Sequence, residues 1–185
     1  LGDPAQCDGN SGCAAWCGRN LYWWGRRHSN RNRTHMRVDY TLLTKTIDAL
    51  IDGETDPVAK MATIACEVHH SDDRFDWTGF YRVVAPEMLK IGPYQGGHGC
   101  LVIPFSKGVC GAAARENCVQ LVDDVNAFPG HIACSSSTLS EIVLPVRDSA
   151  ENVIAVFDID SNQPAAFTTD DADQLQKILD RAFSN

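Results

Sequence analysis

Beyond residue 37, hydrophobic positions fall into short, regular groups. Tyr40, Leu43, Ile47 and Leu50 recur at steps of three and four, which predicts an amphipathic helix ended by Asp52-Gly53. Asp56 supplies an N-cap with Pro57 at the first helical position. The helix it opens runs to about Glu67 and buries Val58, Met61, Ala62 and Ala65, with a polar turn over 69–73. Residues 77–84 and 88–91 predict two strands joined at Pro86-Glu87; 100–103 and 119–122 predict two more. Gly108–Glu116 reads as a short helix, 92–99 as a Gly-rich loop and 123–140 as an irregular one. Residues 141–146 and 153–159 form a hairpin. Thr168 or Thr169 caps a last helix whose first turns hold Asp170, Asp171 and Asp173, with Leu175, Ile178, Leu179 and Ala182 as its buried stripe and Phe183 at the stripe's edge. The element order and short connections imply an α+β layer fold, an antiparallel sheet with helices packed on it.

Composition separates the first 37 residues from the rest. They carry six Arg (Arg19, Arg26, Arg27, Arg31, Arg33, Arg37) against Asp3 and Asp8, a net +4, so the remaining 148 residues hold −12 of the overall −8. Lacking an apolar period, residues 1–37 are expected to be a disordered or non-native extension, with 38–185 the folded domain and Met36 a candidate start. An Arg-rich targeting peptide fits 9–38 but not the first eight residues. A zinc site from Cys7, Cys13, Cys17 and His28 or His35 lacks the usual close Cys pair. The acidic domain argues against nucleic acid as a partner, and no apolar run reaches the ~20 residues of a membrane span.

Of the eight cysteines, Cys66 and Cys118 read as packing. Cys100, Cys110 and Cys134 instead lie among Gly, His or Ser at loop edges. Cys110 falls at a helix N-terminus, whose dipole favours a thiolate, and Cys134 follows His131 in a long loop. From position alone they are either unrelated thiols or a redox set. A structural disulfide is disfavoured because nothing reads as a secretory signal, and a metal site because no Cys pair is close. Strand parity puts Asp158 and Asp160 on one face, and the hairpin brings Glu141 beside them, near the Cys134 loop. Carboxylates so clustered either raise a pKa and bind an ammonium or form a solvated strand end.

Six stretches then resemble one family. They are Asp76-Trp77-Thr78-Gly79-Phe80-Tyr81, Ile91-Gly92-Pro93-Tyr94-Gln95-Gly96, Ile103-Pro104-Phe105-Ser106-Lys107-Gly108-Val109-Cys110-Gly111, Phe128-Pro129-Gly130-His131-Ile132-Ala133-Cys134, Ser140-Glu141-Ile142-Val143 and Asp158-Ile159-Asp160-Ser161. Over about 38–183 the chain resembles free methionine-(R)-sulfoxide reductase, a stand-alone GAF-domain enzyme. It departs from the family pattern at Ser106, usually Gly, and Ser135, usually Asp.

The resemblance implies a GAF-like antiparallel β-sheet flanked by helices. It implies Cys134 as the cysteine that attacks the sulfoxide, Cys100 as the resolving cysteine and Cys110 as a third redox cysteine. Glu141, Asp158 and Asp160 then hold the substrate ammonium and assist at the sulfoxide oxygen, while Trp77 and Tyr81 line the pocket. Backbone N–H groups over 135–137 are candidates for the substrate carboxylate. The implied cycle runs through a sulfenic acid and an intramolecular disulfide to external thioredoxin, with no bound cofactor or metal, in a cytoplasmic homodimer. The competing readings are a non-catalytic GAF ligand sensor and a general thiol redox sensor.

Overall fold

The structure, a computed structural model, describes residues 38–130 and 135–184. The expected extension over 1–37, its alternative zinc ligands, and Cys134 lie outside the described residues. The elements are α1 (Tyr40–Leu50), α2 (Pro57–Ser71), β1 (Trp77–Ala85), β2 (Met88–Gln95), β3 (Val102–Pro104), α3 (Gly108–Glu116), β4 (Gln120–Val122), β5 (Ser140–Arg147), β6 (Val153–Ser161) and α4 (Thr169–Phe183). The six strands form one sheet in the order β3-β2-β1-β6-β5-β4, with every neighbouring pair antiparallel.

Strand alternation sorts the core into two layers. Phe80, Ile142, Leu144, Val146, Ala155, Phe157 and Ile159 face α1, α2 and α4, which contribute Ile47, Ile64, Val68, Leu175 and Leu179. Phe80 and Phe157 lie 4.5 Å apart between ring centres, and burial of each such side chain contributes about 1.5–3 kcal/mol. The other face presents Trp77, Tyr81, Val143 and Val156 to Val109, Cys110, Ala113 and Ala114 of α3. Thr168 caps α4 in a full capping box with Asp171, and Asp56 caps α2 at Val58 N.

One polar cluster fixes where β1 begins. Arg74 donates to Asp72 (3.0 Å), to Ala166 O (2.6 Å) and to Asp171 (3.3 Å). Asp171 also accepts from Tyr40 Oη at 2.8 Å. Three helices and the α2–β1 connection therefore share one ion-paired knot, only two residues ahead of Asp76.

Several elements differ from the sequence reading. Helix α2 continues to Ser71 through the expected turn and ends at extended Asp72. Its buried face is Met61, Ile64, Ala65 and Val68, leaving Val58 40% exposed and Ala62 on the surface, because Ile64 and Val68 offer more apolar area than Ala62. Leu50, at the end of α1, is likewise exposed. Strand β2 reaches Gln95, absorbing half of the expected Gly-rich loop. A register shift there sets Gly92 and Pro93 against Phe80, a bulge that tolerates a proline lacking its N–H. Cys118 is exposed and Cys66 half-buried, so neither is a core residue. Among the described residues no helix is long and apolar enough to cross a membrane.

Candidate active site

Sheet register builds the acidic cluster. Glu141 pairs with Asp160 and Asp160 with Trp77; one step along, Val143 pairs with Asp158 and Asp158 with Gly79. All project to the α3 face, as strand parity requires. Gly79 makes room for the aromatic wall: a Cβ there would lie 2.4 Å from Tyr94 Cβ and 2.6 Å from the Trp77 ring. Trp77 accordingly stacks between Tyr94 (5.4 Å) and Tyr81 (5.7 Å). Its Nε1 donates to Gly97 O at 3.0 Å, closing the 96–99 segment over it.

Helix α3 brings the thiol. Gly111 sits so close to the end of β3 that a Cβ would meet Pro104 O at 2.7 Å and Phe105 O at 2.8 Å. This close crossing seats Cys110 against the carboxylates. Its Sγ donates to Asp158 Oδ2 at 3.3 Å and lies 4.0 Å from Glu141 Oε1.

Burial dominates the electrostatics. It pushes Asp158 up to about 7, although bonds from Cys110 and Glu141 act the other way. Glu141 is held well above the ordinary carboxylate range by burial first, then by the charges of Asp158 and Asp160, and it shares a hydrogen bond with Asp158. Asp160 is raised by burial and then by Asp158 and Asp76. Burial, Asp158 and Glu141 also push the Cys110 thiol up. The thiolate expected at this helix N-terminus is therefore overturned: a dipole worth ~0.3–1 kcal/mol loses to desolvation beside carboxylates.

These groups line one cavity of about 490 Å³. It collects Trp77, Tyr81, Cys110, Glu141, Asp158 and Asp160, six of the eight residues singled out by sequence. Cys100 follows the lining residue Gly99, packs against the same core and is disulfide-bonded. Cys134 lies outside the described residues, but Ser135, its neighbour in the chain, lines the cavity. Residues 136 and 137 line it too, with the Ser137 N–H donating to Ser135 Oγ at 3.3 Å. Asp76, His98 and Asn162 were missed as lining residues. Asp76 adjoins Trp77 in a recognised motif, a usable signal. Asn162 is placed by its N–H donating to Asp76 Oδ2 at 2.8 Å across 86 residues, which no local pattern marks.

Among the described residues, no Lys or Arg lines the cavity. Buried carboxylates without a cation hold protons, so the cavity stores acid at neutral pH and favours a ligand bearing an ammonium group.

No family model matches the chain. It is 37% identical over 148 residues to free methionine-R-sulfoxide reductase of Escherichia coli, covering 80% of this chain and 87% of that protein. The structure of fRMsr of Staphylococcus aureus in its reduced form superposes with a TM-score of 0.76 at 36% identity, covering 81% of this chain and 96% of that one. A solved GAF domain superposes at 0.74 with 33% identity, covering 78% of this chain and 86% of that one. The six-stranded antiparallel α+β architecture is thus the GAF fold.

Proposed function

The chain belongs to the free methionine-R-sulfoxide reductase family, and on that premise we propose that it reduces free L-methionine (R)-S-oxide to L-methionine. The observation that carries the reading is the acid cluster of buried Glu141 and Asp158 with half-buried Asp160, which shares one cavity with Trp77. Methionine sulfoxide brings the two things this set lacks. Its α-ammonium supplies a counter-charge, and its sulfoxide oxygen accepts a proton. A peptide-bound residue has no α-ammonium and leaves the carboxylates unpaired, a cost of several kcal/mol in a buried site.

In this reading Cys134 attacks the sulfoxide sulfur as a thiolate while the acid cluster protonates the oxygen. The protonated oxygen passes from the substrate sulfur to the Cys134 sulfur as the S–O bond and the transient link between the two sulfurs break, methionine leaves, and Cys134 is left as a sulfenic acid. The Cys100 thiol then attacks that sulfur, water departs, and a disulfide forms. A thioredoxin dithiol reduces it by exchange, so the electrons come from thioredoxin and the oxygen ends in water. That Cys100 already takes part in a disulfide supports its resolving role. Cys110, buried and protonated, must give its proton to the carboxylates before it can join the redox cycle. Such a cycle requires no bound cofactor and suits a reducing, cytoplasmic setting; a homodimer is proposed on the family resemblance alone.

The test is consumption of free methionine-(R)-sulfoxide with thioredoxin by wild type, Cys134→Ser and Cys100→Ser. Wild type is expected to turn over, Cys134→Ser to release no methionine, and Cys100→Ser to release about one equivalent and then stall. Activity of Cys134→Ser equal to wild type overturns the mechanism.

A further inference from the structure

We propose that Cys110, Glu141 and Asp158 form a binding site for a borderline-soft divalent cation of the Zn²⁺ class, which blocks the cavity when it is filled. Their ligand atoms all lie within 4.8 Å of one another, and all three side chains are buried. A tetrahedral zinc with one sulfur and one oxygen ligand sets those atoms about 3.5 Å apart. The observed Sγ–oxygen distances, 3.3 Å to Asp158 and 4.0 Å to Glu141, bracket that value. A second observation points to a ligand: Asp158 is 5% exposed, lines the cavity, and its Oδ1 is buried with no hydrogen-bond partner among the described residues.

Donor chemistry selects the ion. A thiolate with two carboxylates suits zinc or cobalt, whereas calcium needs six to eight oxygens and magnesium prefers an octahedral, water-rich shell. Three protein ligands leave a fourth position open to the cavity. As the dication enters, the Cys110 proton and the proton shared by Glu141 and Asp158 leave. The trio's net charge is then unchanged, so the ion meets no added charge burial, and its affinity rises with pH. Sequence spacing hides this site: the donors stand 31 and 48 residues from Cys110 and meet only through the α3 crossing.

The site does not depend on the reductase reading. Reduced, full-length protein is titrated with Co²⁺ and its visible absorption recorded, followed by displacement with Zn²⁺. The expected spectrum is four-coordinate, with a thiolate-to-cobalt component that vanishes in Cys110→Ser and Cys110→Ala and weakens about ten-fold or more in affinity in Asp158→Asn. Far-UV circular dichroism confirms that each variant is folded, and two Cys110 variants guard against one that is not. Retention of the full thiolate component in folded Cys110 variants overturns the site, as does a purely six-coordinate spectrum in wild type. Cys110-dependent cobalt binding without sulfoxide consumption supports the metal site and defeats the reductase reading. Turnover without such binding does the reverse.

Discussion

Asp158→Asn is expected to make the protein more stable, although it removes a carboxylate from the proposed site. The folded Asp158 titrates at about 7 against an ordinary 3.8, with burial as the leading cause. Across that window the folded state binds more protons than the unfolded state, so stability falls as pH rises, and the whole cost is present above about 7. At about 1.36 kcal/mol per pH unit, the gap between 3.8 and about 7 amounts to at most roughly 4 kcal/mol, since the proton is shared with Glu141 and Asp160. Asn keeps the shape, carries no charge and can donate to Glu141, so that cost disappears. The assay is urea unfolding of both proteins at about pH 4.5 and pH 8, read as midpoint and slope. The variant should gain several kcal/mol at the higher pH and little at the lower, and lose sulfoxide reduction, a trade of stability for function. Saturating L-methionine should narrow the gap, because its ammonium stabilises the wild-type carboxylate. A variant no more stable at pH 8, or a difference independent of pH, refutes the reasoning.

Three other outcomes follow from the same geometry. Arg74→Leu leaves Asp72 and Asp171 buried beside each other without their guanidinium, and should cost about 3–5 kcal/mol in urea unfolding; a loss under about 1 kcal/mol contradicts the knot. Gly79→Ala displaces Tyr94 and the Trp77 ring that lines the cavity, and should raise KM for free methionine-(R)-sulfoxide roughly ten-fold in a folded protein, as circular dichroism will show; an unchanged KM removes Trp77 from the binding surface. Because the protonated cluster is the proposed acid, kcat should fall as pH rises through about 7, and Asp158→Asn should lose or move that limb; a wild-type profile flat from pH 6 to 9 speaks against it.

Local rules carried the reading furthest where the structure is local. The Glu141–Asp158–Asp160 convergence needed only hairpin parity, and β5 and β6 pair as parity required. Caps at Asp56 and Thr168 were likewise legible, each being a short contact between near neighbours. Non-local competition explains the rest. Cys110 sits where a helix dipole favours its anion, yet burial against Asp158, 48 residues away, keeps its proton on. The buried face of α2 was set by what lies beneath it, and β2 outran its pattern because a bulge absorbed Pro93. Asn162 reaches the cavity through a bond to Asp76 that no spacing announces.

The most direct test of the central claim compares free methionine-(R)-sulfoxide with its N-acetyl derivative, each supplied with thioredoxin. The two share the reacting sulfur and differ in the α-ammonium that the Glu141–Asp158–Asp160 cluster is proposed to hold. Turnover of the free amino acid is expected, with a kcat/KM for the N-acetyl compound lower by about two orders of magnitude or more, the cost of unpaired buried charge. Equal kcat/KM values for the two, or no consumption of either, contradict the claim.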